Sequence, residues 1–150
     1  MVFKINIAEK TGKTFKLEAE AEVLLGKSLK ETIPGNEISP DLAGYEFEIT
    51  GASDKTGFTS HEDVEGVGLK RLLLGYGKGM KQKPRREGKK KISNKKPEGL
   101  RLRKTVRGKV ISADIVQVNL KIKKEGAKKL SEIFPEQNQP KQAPKKEAAK

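Results

Sequence analysis

The residues whose types and spacing could do chemistry here are cations. Between Lys70 and Lys109 the chain sets 17 Lys and Arg against only Glu87 and Glu98, a local net charge of +15 in a protein whose overall charge is +13. The whole positive excess therefore lies in one central stretch. Neighbouring cations there sit closer than the ~8 Å Debye length of physiological salt, so they repel one another until a polyanion offsets them. Interleaved glycines let a backbone approach a phosphate closely. Arg85, Arg86, Arg101, Arg103 and Arg107 add planar guanidinium forks suited to phosphate oxygens. Tyr76 is the only aromatic residue in the stretch, so base stacking should not dominate. These features favour a folded nucleic acid gripped through backbone and shape, as structured RNA is. A merely solubilising run of lysines is the weaker alternative.

Other chemistry is poorly supplied. Gly12-Lys13-Thr14 and Gly26-Lys27-Ser28 resemble the end of a phosphate-binding P-loop, but Ile7 and Ala21 stand where its first glycine is required. The glycines of GYGKG at 75 to 79 read as a flexible turn. His61 is the only histidine and stands beside Glu62, Asp63 and Glu65, which reads as a solvated acidic loop. One imidazole without a thiolate or a second His is poor supply for a metal. Glu18, Glu20 and Glu22 share a strand face that solvent explains, and no Ser/His/Asp or Cys/His set can be assembled. The expectation is no catalysis, no cofactor and no small-molecule substrate. The absence of Cys suits a reducing compartment. No apolar signal region opens the chain and no apolar run nears the ~20 residues of a membrane helix. Gly75, Gly77, Gly79, Gly88, Gly99, Pro84 and Pro97 also forbid an amphipathic membrane-surface helix through the basic stretch. A soluble intracellular protein is expected.

The elements that must position these cations are mostly strands. A chain of 150 residues, 33% of them hydrophobic, predicts one domain with a modest core. Period-two alternation predicts strands at 2–7, 14–23 and 45–49, the first two forming a hairpin. Residues 24–43, broken by Gly26, Pro34, Gly35 and Pro40, predict a helical turn and loop. The segment from Gly66 to Leu74 suits a strand buried on both faces, because its glycines penalise a helix. Residues 100–107 place Arg101, Arg103, Thr105 and Arg107 on one face and Leu102 and Val106 on the other. Changing the three arginines together is thus expected to weaken RNA binding with little loss of fold. Gly108 marks an expected bulge. Residues 116–122 alternate most cleanly, with Val116, Val118, Leu120 and Ile122 inward and Gln117, Asn119 and Lys121 outward. A short helix over 127–134 should pack Leu130, Ile133 and Phe134, and the apolar-poor segment beyond it should be disordered. The fold class expected is mainly β: a small β-barrel of about six short strands with a long basic loop.

The succession GYEFEITGASDKTGF, VGLKRLLLGYG, PRREGKKK and LRLRKTVRGKVISADIVQVNLKI resembles the archaeal and eukaryotic small-subunit ribosomal protein S-six-e family. The likeness spans about residues 1 to 125 and is most specific where KTVRG is followed by VQVNL. A second family pattern, Gly-Gly-x-Asp-x-x-Gly-x-Pro-Met, is partly kept: Gly51, Asp54 and Gly57 match, Ala52 replaces the second glycine, and Thr59-Ser60 replace Pro-Met. The resemblance implies a β-rich RNA-binding domain in the body of the small subunit, without enzymatic activity or obligatory cofactor, in the cytoplasmic ribosome. Its partners would be small-subunit rRNA and neighbouring ribosomal proteins, with no membrane. Carried onto this chain, the RNA-contacting residues are Arg71, Arg85, Arg86, Lys89, Lys90, Arg101, Arg103, Lys104 and Arg107. The charge pattern adds Lys78, Lys81, Lys83, Lys91, Lys95, Lys96 and Lys109. The expected division is a rRNA-binding barrel over 1–125 including a basic loop at 75–104, a helix at 126–134 and a disordered tail at 135–150. Eukaryotic members continue into a basic helix with phosphorylated serines. With Ser131 the only serine after Ser112, that regulation is expected to be absent and the origin archaeal. A non-ribosomal RNA-binding or ribosome-assembly protein is the alternative use of the same patch.

Overall fold

Alternation in the sequence decides where most strands lie. The computed structural model describes residues 2–80, 99–126 and 128–138. Within them run β1 (Phe3–Ala8), β2 (Thr14–Ala19), β3 (Thr32–Pro34), β4 (Glu46–Asp54), β5 (Leu69–Gly75), β6 (Arg101–Arg107), β7 (Ile115–Lys124) and the one-turn helix α1 (Leu130–Ile133). Five strands form one sheet in the order β2-β1-β7-β4-β3, and β5 and β6 form a separate two-stranded ribbon. The hairpin of β1 and β2 sets Ile5 opposite Leu17. β1 then runs parallel to β7 with Ile7 opposite Leu120, while β4 pairs β7 antiparallel. One face of this sheet buries Phe3, Ile5, Ile7, Phe15, Phe47, Ile49, Val118, Leu120 and Ile122. Each such side chain contributes about 1.5–3 kcal/mol of hydrophobic stabilisation. Asn6, Gln117 and Asn119 stand on the opposite, polar face, joined by side-chain hydrogen bonds.

The mainly-β class holds, but the barrel does not close. β3 has three residues and ends in Pro34, which lacks the N–H that another ladder would need. β2 at the far edge is met instead by Gln137. The Lys16 N–H donates to Gln137 Oε1 at 2.7 Å, and Gln137 Nε2 donates to the Lys16 carbonyl at 2.8 Å. A side-chain amide thus imitates one step of a strand at an edge that would otherwise be open. Residues 135–138, the start of the expected tail, are therefore docked, and 139–150 lie outside the described residues.

The strand expected over 14–23 stops at Ala19, and a 3-10 turn over Glu22–Leu24 swings Leu24 into the core. In the region read as helical turn and loop, further 3-10 turns at Gly35–Glu37 and Pro40–Leu42 flank β3. Leu42 is buried there, and a Cβ on Gly35 would fall 2.2 Å from its carbonyl oxygen. The third strand runs past Ile49 to Asp54, with register shifts against β7 on the way. The helix is shorter than expected. Leu130 is buried, Ile133 and Phe134 pack at the core's edge, and the Phe134 ring lies 5.9 Å from that of Phe15.

The ribbon has its own small core of Val64, Leu74, Met80 and Val106. Only one of its faces is buried. Leu69 and Leu73 on the other are 50% and 57% exposed, which corrects the expectation that residues 66–74 are buried on both sides. Gly108 is not a bulge: β6 ends at Arg107, and a Cβ on Gly108 would lie 1.9 Å from the Gly66 carbonyl oxygen. Two backbones cross there at a distance that no side chain permits.

Candidate nucleic-acid interface

Register decides what the ribbon presents. Arg71 stands opposite Thr105, Leu73 opposite Arg103 and Gly75 opposite Arg101, so these residues share the exposed face. Leu72, Leu74, Leu102 and Val106 turn inward to the small core. Arg71, Arg101 and Arg103 are exposed and have no acid partner among the described residues, and the same is true of Lys70 and Lys104. Five cations are therefore left to an external anion, on a two-stranded platform from whose end the rest of the basic stretch departs. Lys81, Lys83, Arg85, Arg86, Lys89, Lys90, Lys91, Lys95 and Lys96 lie outside the described residues.

Three of the expected contact residues are engaged within the protein. Arg107 shares the face of Arg103 by alternation, but its side chain is only 11% exposed. Its Nε donates to Asp54 Oδ2 at 3.2 Å, and its Nη1 donates to Asp114 Oδ2 at 3.0 Å and to the Val67 carbonyl at 3.2 Å. Asp54 itself is buried. Its Oδ1 accepts from the Thr56 hydroxyl at 2.7 Å and from the Thr56 and Phe58 N–H groups at 2.9 Å. Burial pushes the Asp54 carboxyl up, but the hydrogen bonds from Thr56, Phe58 and Arg107 outweigh it and hold the carboxyl below its ordinary value. Arg107 thus ties the ribbon to β4 and to the loop before β7. Its expected outward role is corrected by the two acids that the fold sets against it.

Lys78 Nζ donates to the Thr50 carbonyl at 2.8 Å and to Glu62 Oε1 at 3.0 Å, and Lys109 pairs with Glu65 at 3.4 Å. Glu62 also pairs with Lys30, and hydrogen bonds from Lys30 and Lys78 draw its carboxyl down to about 2. The acidic loop is accordingly only half solvated. Asp63 and Glu65 are exposed, whereas the His61 side chain is 14% exposed and its Nδ1 lies 3.4 Å from Asp63.

Sequence reasoning passed over the residues beneath the ribbon. The free edge of β6 faces the polar side of the large sheet across a cleft of about 750 Å³, lined among others by Ser60, Arg103, Lys104, Gln117 and Asn119. Gln117 and Asn119 were legible as outward residues. Their place in VQVNL, the most specific part of the resemblance, is the feature of the sequence that set them apart from other outward residues.

The family model "Ribosomal protein S6e" matches residues 3–135. The "Small ribosomal subunit protein eS6" of Methanococcus maripaludis strain C5 is 38% identical over 128 residues, covering 85% of this chain and 91% of the relative. Its counterpart in Archaeoglobus fulgidus is 38% identical over 140 residues, covering 89% and 96%. That of Methanoculleus marisnigri is 38% identical over 136 residues, covering 88% and 92%.

Proposed function

The chain belongs to the ribosomal protein S6e family, structural and non-enzymatic proteins of the small ribosomal subunit, and we propose that it serves there by binding small-subunit rRNA through the ribbon and the basic stretch. The observation that carries this reading is the exposed face of β5 and β6, where Arg71, Arg101 and Arg103 stand without acid partners among the described residues. Arginines so placed offer planar donors to phosphate oxygens, and the strand backbone beneath holds them in fixed register.

The domain reading follows from the same placement. Residues 1–125 are the RNA-binding unit in this reading, and the basic stretch between β5 and β6 adds its cations to those of the ribbon. Arg107, Lys78 and Lys109 maintain the platform. Neighbouring ribosomal proteins and cytoplasmic small-subunit rRNA are its partners, and translation is the process it supports.

Sucrose-gradient sedimentation of a native lysate tests this. Stoichiometric migration with the small subunit and the whole ribosome, surviving a moderate salt wash, is the expected result. Recovery only at the top of the gradient or in precursor particles would replace a structural role with an accessory one.

A further inference from the structure

Resting on the reading that this chain binds RNA, we propose that the cleft under β6 seats one unstacked nucleotide of that RNA. The base edge meets the amides of Gln117 and Asn119, and the phosphate meets Arg103 and Lys104. The cleft, about 750 Å³ in volume, lies within the ~300–1,000 Å³ of small-ligand sites. Its floor is pre-organised. Asn119 Oδ1 accepts from both Asn6 Nδ2 and Gln117 Nε2, each at 3.0 Å. Those two bonds fix how both amides point. They leave Asn119 Nδ2 as a donor and Gln117 Oε1 as an acceptor, neither with a partner among the described residues. A donor beside an acceptor is the complement that a base edge requires, and splayed bases are how proteins read RNA sequence.

Two further groups await a partner. The Arg107 N–H donates to the Thr59 carbonyl and its own carbonyl accepts from His61 N–H, both away from β5. Alternation turns the backbone of Thr105 and Arg103 to that same side, where no described strand pairs with them. Ser60, 2% exposed at the cleft wall, has a hydroxyl with no hydrogen-bond partner among the described residues. An extended peptide could also add to a strand edge. The unpaired cations at the mouth and the paired amides at the floor favour an anionic ligand that carries a base.

The test uses the full chain with small-subunit rRNA transcribed in vitro, comparing wild type, Gln117→Ala and Arg103→Gln across a salt series. Gln117→Ala should weaken binding about tenfold at every salt concentration, the loss typical of a base contact. Its salt slope should match wild type, whereas Arg103→Gln should lower the slope by about one. If Gln117→Ala binds like wild type while wild type keeps its steep salt dependence, the cleft proposal falls and RNA binding stands. If wild type shows no salt-dependent binding, the RNA reading falls and takes the cleft with it. Ultraviolet crosslinking of the wild-type protein in purified small subunits, read by mass spectrometry, is independent of how the variants fold. A nucleotide joined to residues 50–60 or 117–119 supports the proposal, and nucleotides joined elsewhere on the chain but to none of these residues overturn it.

Discussion

Arg103 and Arg107 stand four residues apart on one face of β6, yet what lies opposite separates them. Alternation assigned both to the same face and could do no more, because Asp54 is 53 residues away in the chain. The fold sets that carboxylate, at the end of β4, 3.2 Å from Arg107 Nε. Removing the guanidinium would leave Asp54 buried without its cation, a change that typically costs roughly 3–5 kcal/mol. Arg107→Gln should therefore lower the urea midpoint strongly, while Arg103→Gln, on an exposed position, should shift stability by no more than about 0.5 kcal/mol and weaken RNA binding instead. Equal stability of the two variants would show that Arg107 does not hold the ribbon. The same neighbourhood sets an acid limit. The Glu62 carboxyl is drawn from its ordinary 4.5 to about 2 by Lys30 and Lys78, and that of Asp54 is also lowered. Groups with a depressed folded pKa contribute stability that is whole above the ordinary value and lost as pH falls through the folded one. The urea midpoint should thus decline from about pH 4.5 towards pH 2, and Glu62→Gln should flatten part of that decline; an identical profile in the variant would rule out this assignment.

At the scale of elements, what alternation could show was each strand with one wet face, and what it could not show was anything defined by a partner. Residues 117–122 were legible because Val118, Leu120 and Ile122 face a core that Gln117 and Asn119 do not, but Val116, expected inward, is only partly buried and Ile115 takes its place beside the register shift at Ser53 and Asp54. β3 was not legible, since three residues around Ile33 become a strand only by pairing with Phe47. Closure into a barrel failed for the same kind of reason: edges are settled by what covers them, here Pro34 and Gln137. Leu120 sits in the large core with no exposed surface, so Leu120→Ala should cost about 2–5 kcal/mol by loss of burial and the cavity left behind. A loss under 1 kcal/mol in chemical denaturation would mean that the site collapses around the smaller side chain. The ribbon should behave differently. Two strands over a core of four buried residues give little stability of their own, so its amides should exchange with solvent at a lower opening free energy than those of β7 in native-state hydrogen exchange. Equal protection would mean that Arg107 fuses ribbon and sheet into one cooperative unit.

Across the whole molecule, charge is segregated along the chain. Residues 1–69 hold 13 acids against 7 Lys, a net of −6, while residues 70–109 carry +15. The location of the stretch proposed to face RNA was therefore legible from composition alone, but the number of its cations already paired within the protein was not. Lys78, Arg107 and Lys109 are held by Glu62, Asp54 with Asp114, and Glu65, which reduces the 17 cations to 14 at most. If about half of those meet phosphates, counterion release at ~0.7–0.9 per contact gives a slope of log affinity against log salt of about −5 to −6. The acidic first half would repel the polyanion and so favour approach from the basic side. Filter binding of small-subunit rRNA between 50 mM and 300 mM salt would read that slope. A value near −2 would mean that two or three phosphates carry the electrostatic affinity, and that the central stretch serves some purpose other than gripping the RNA backbone.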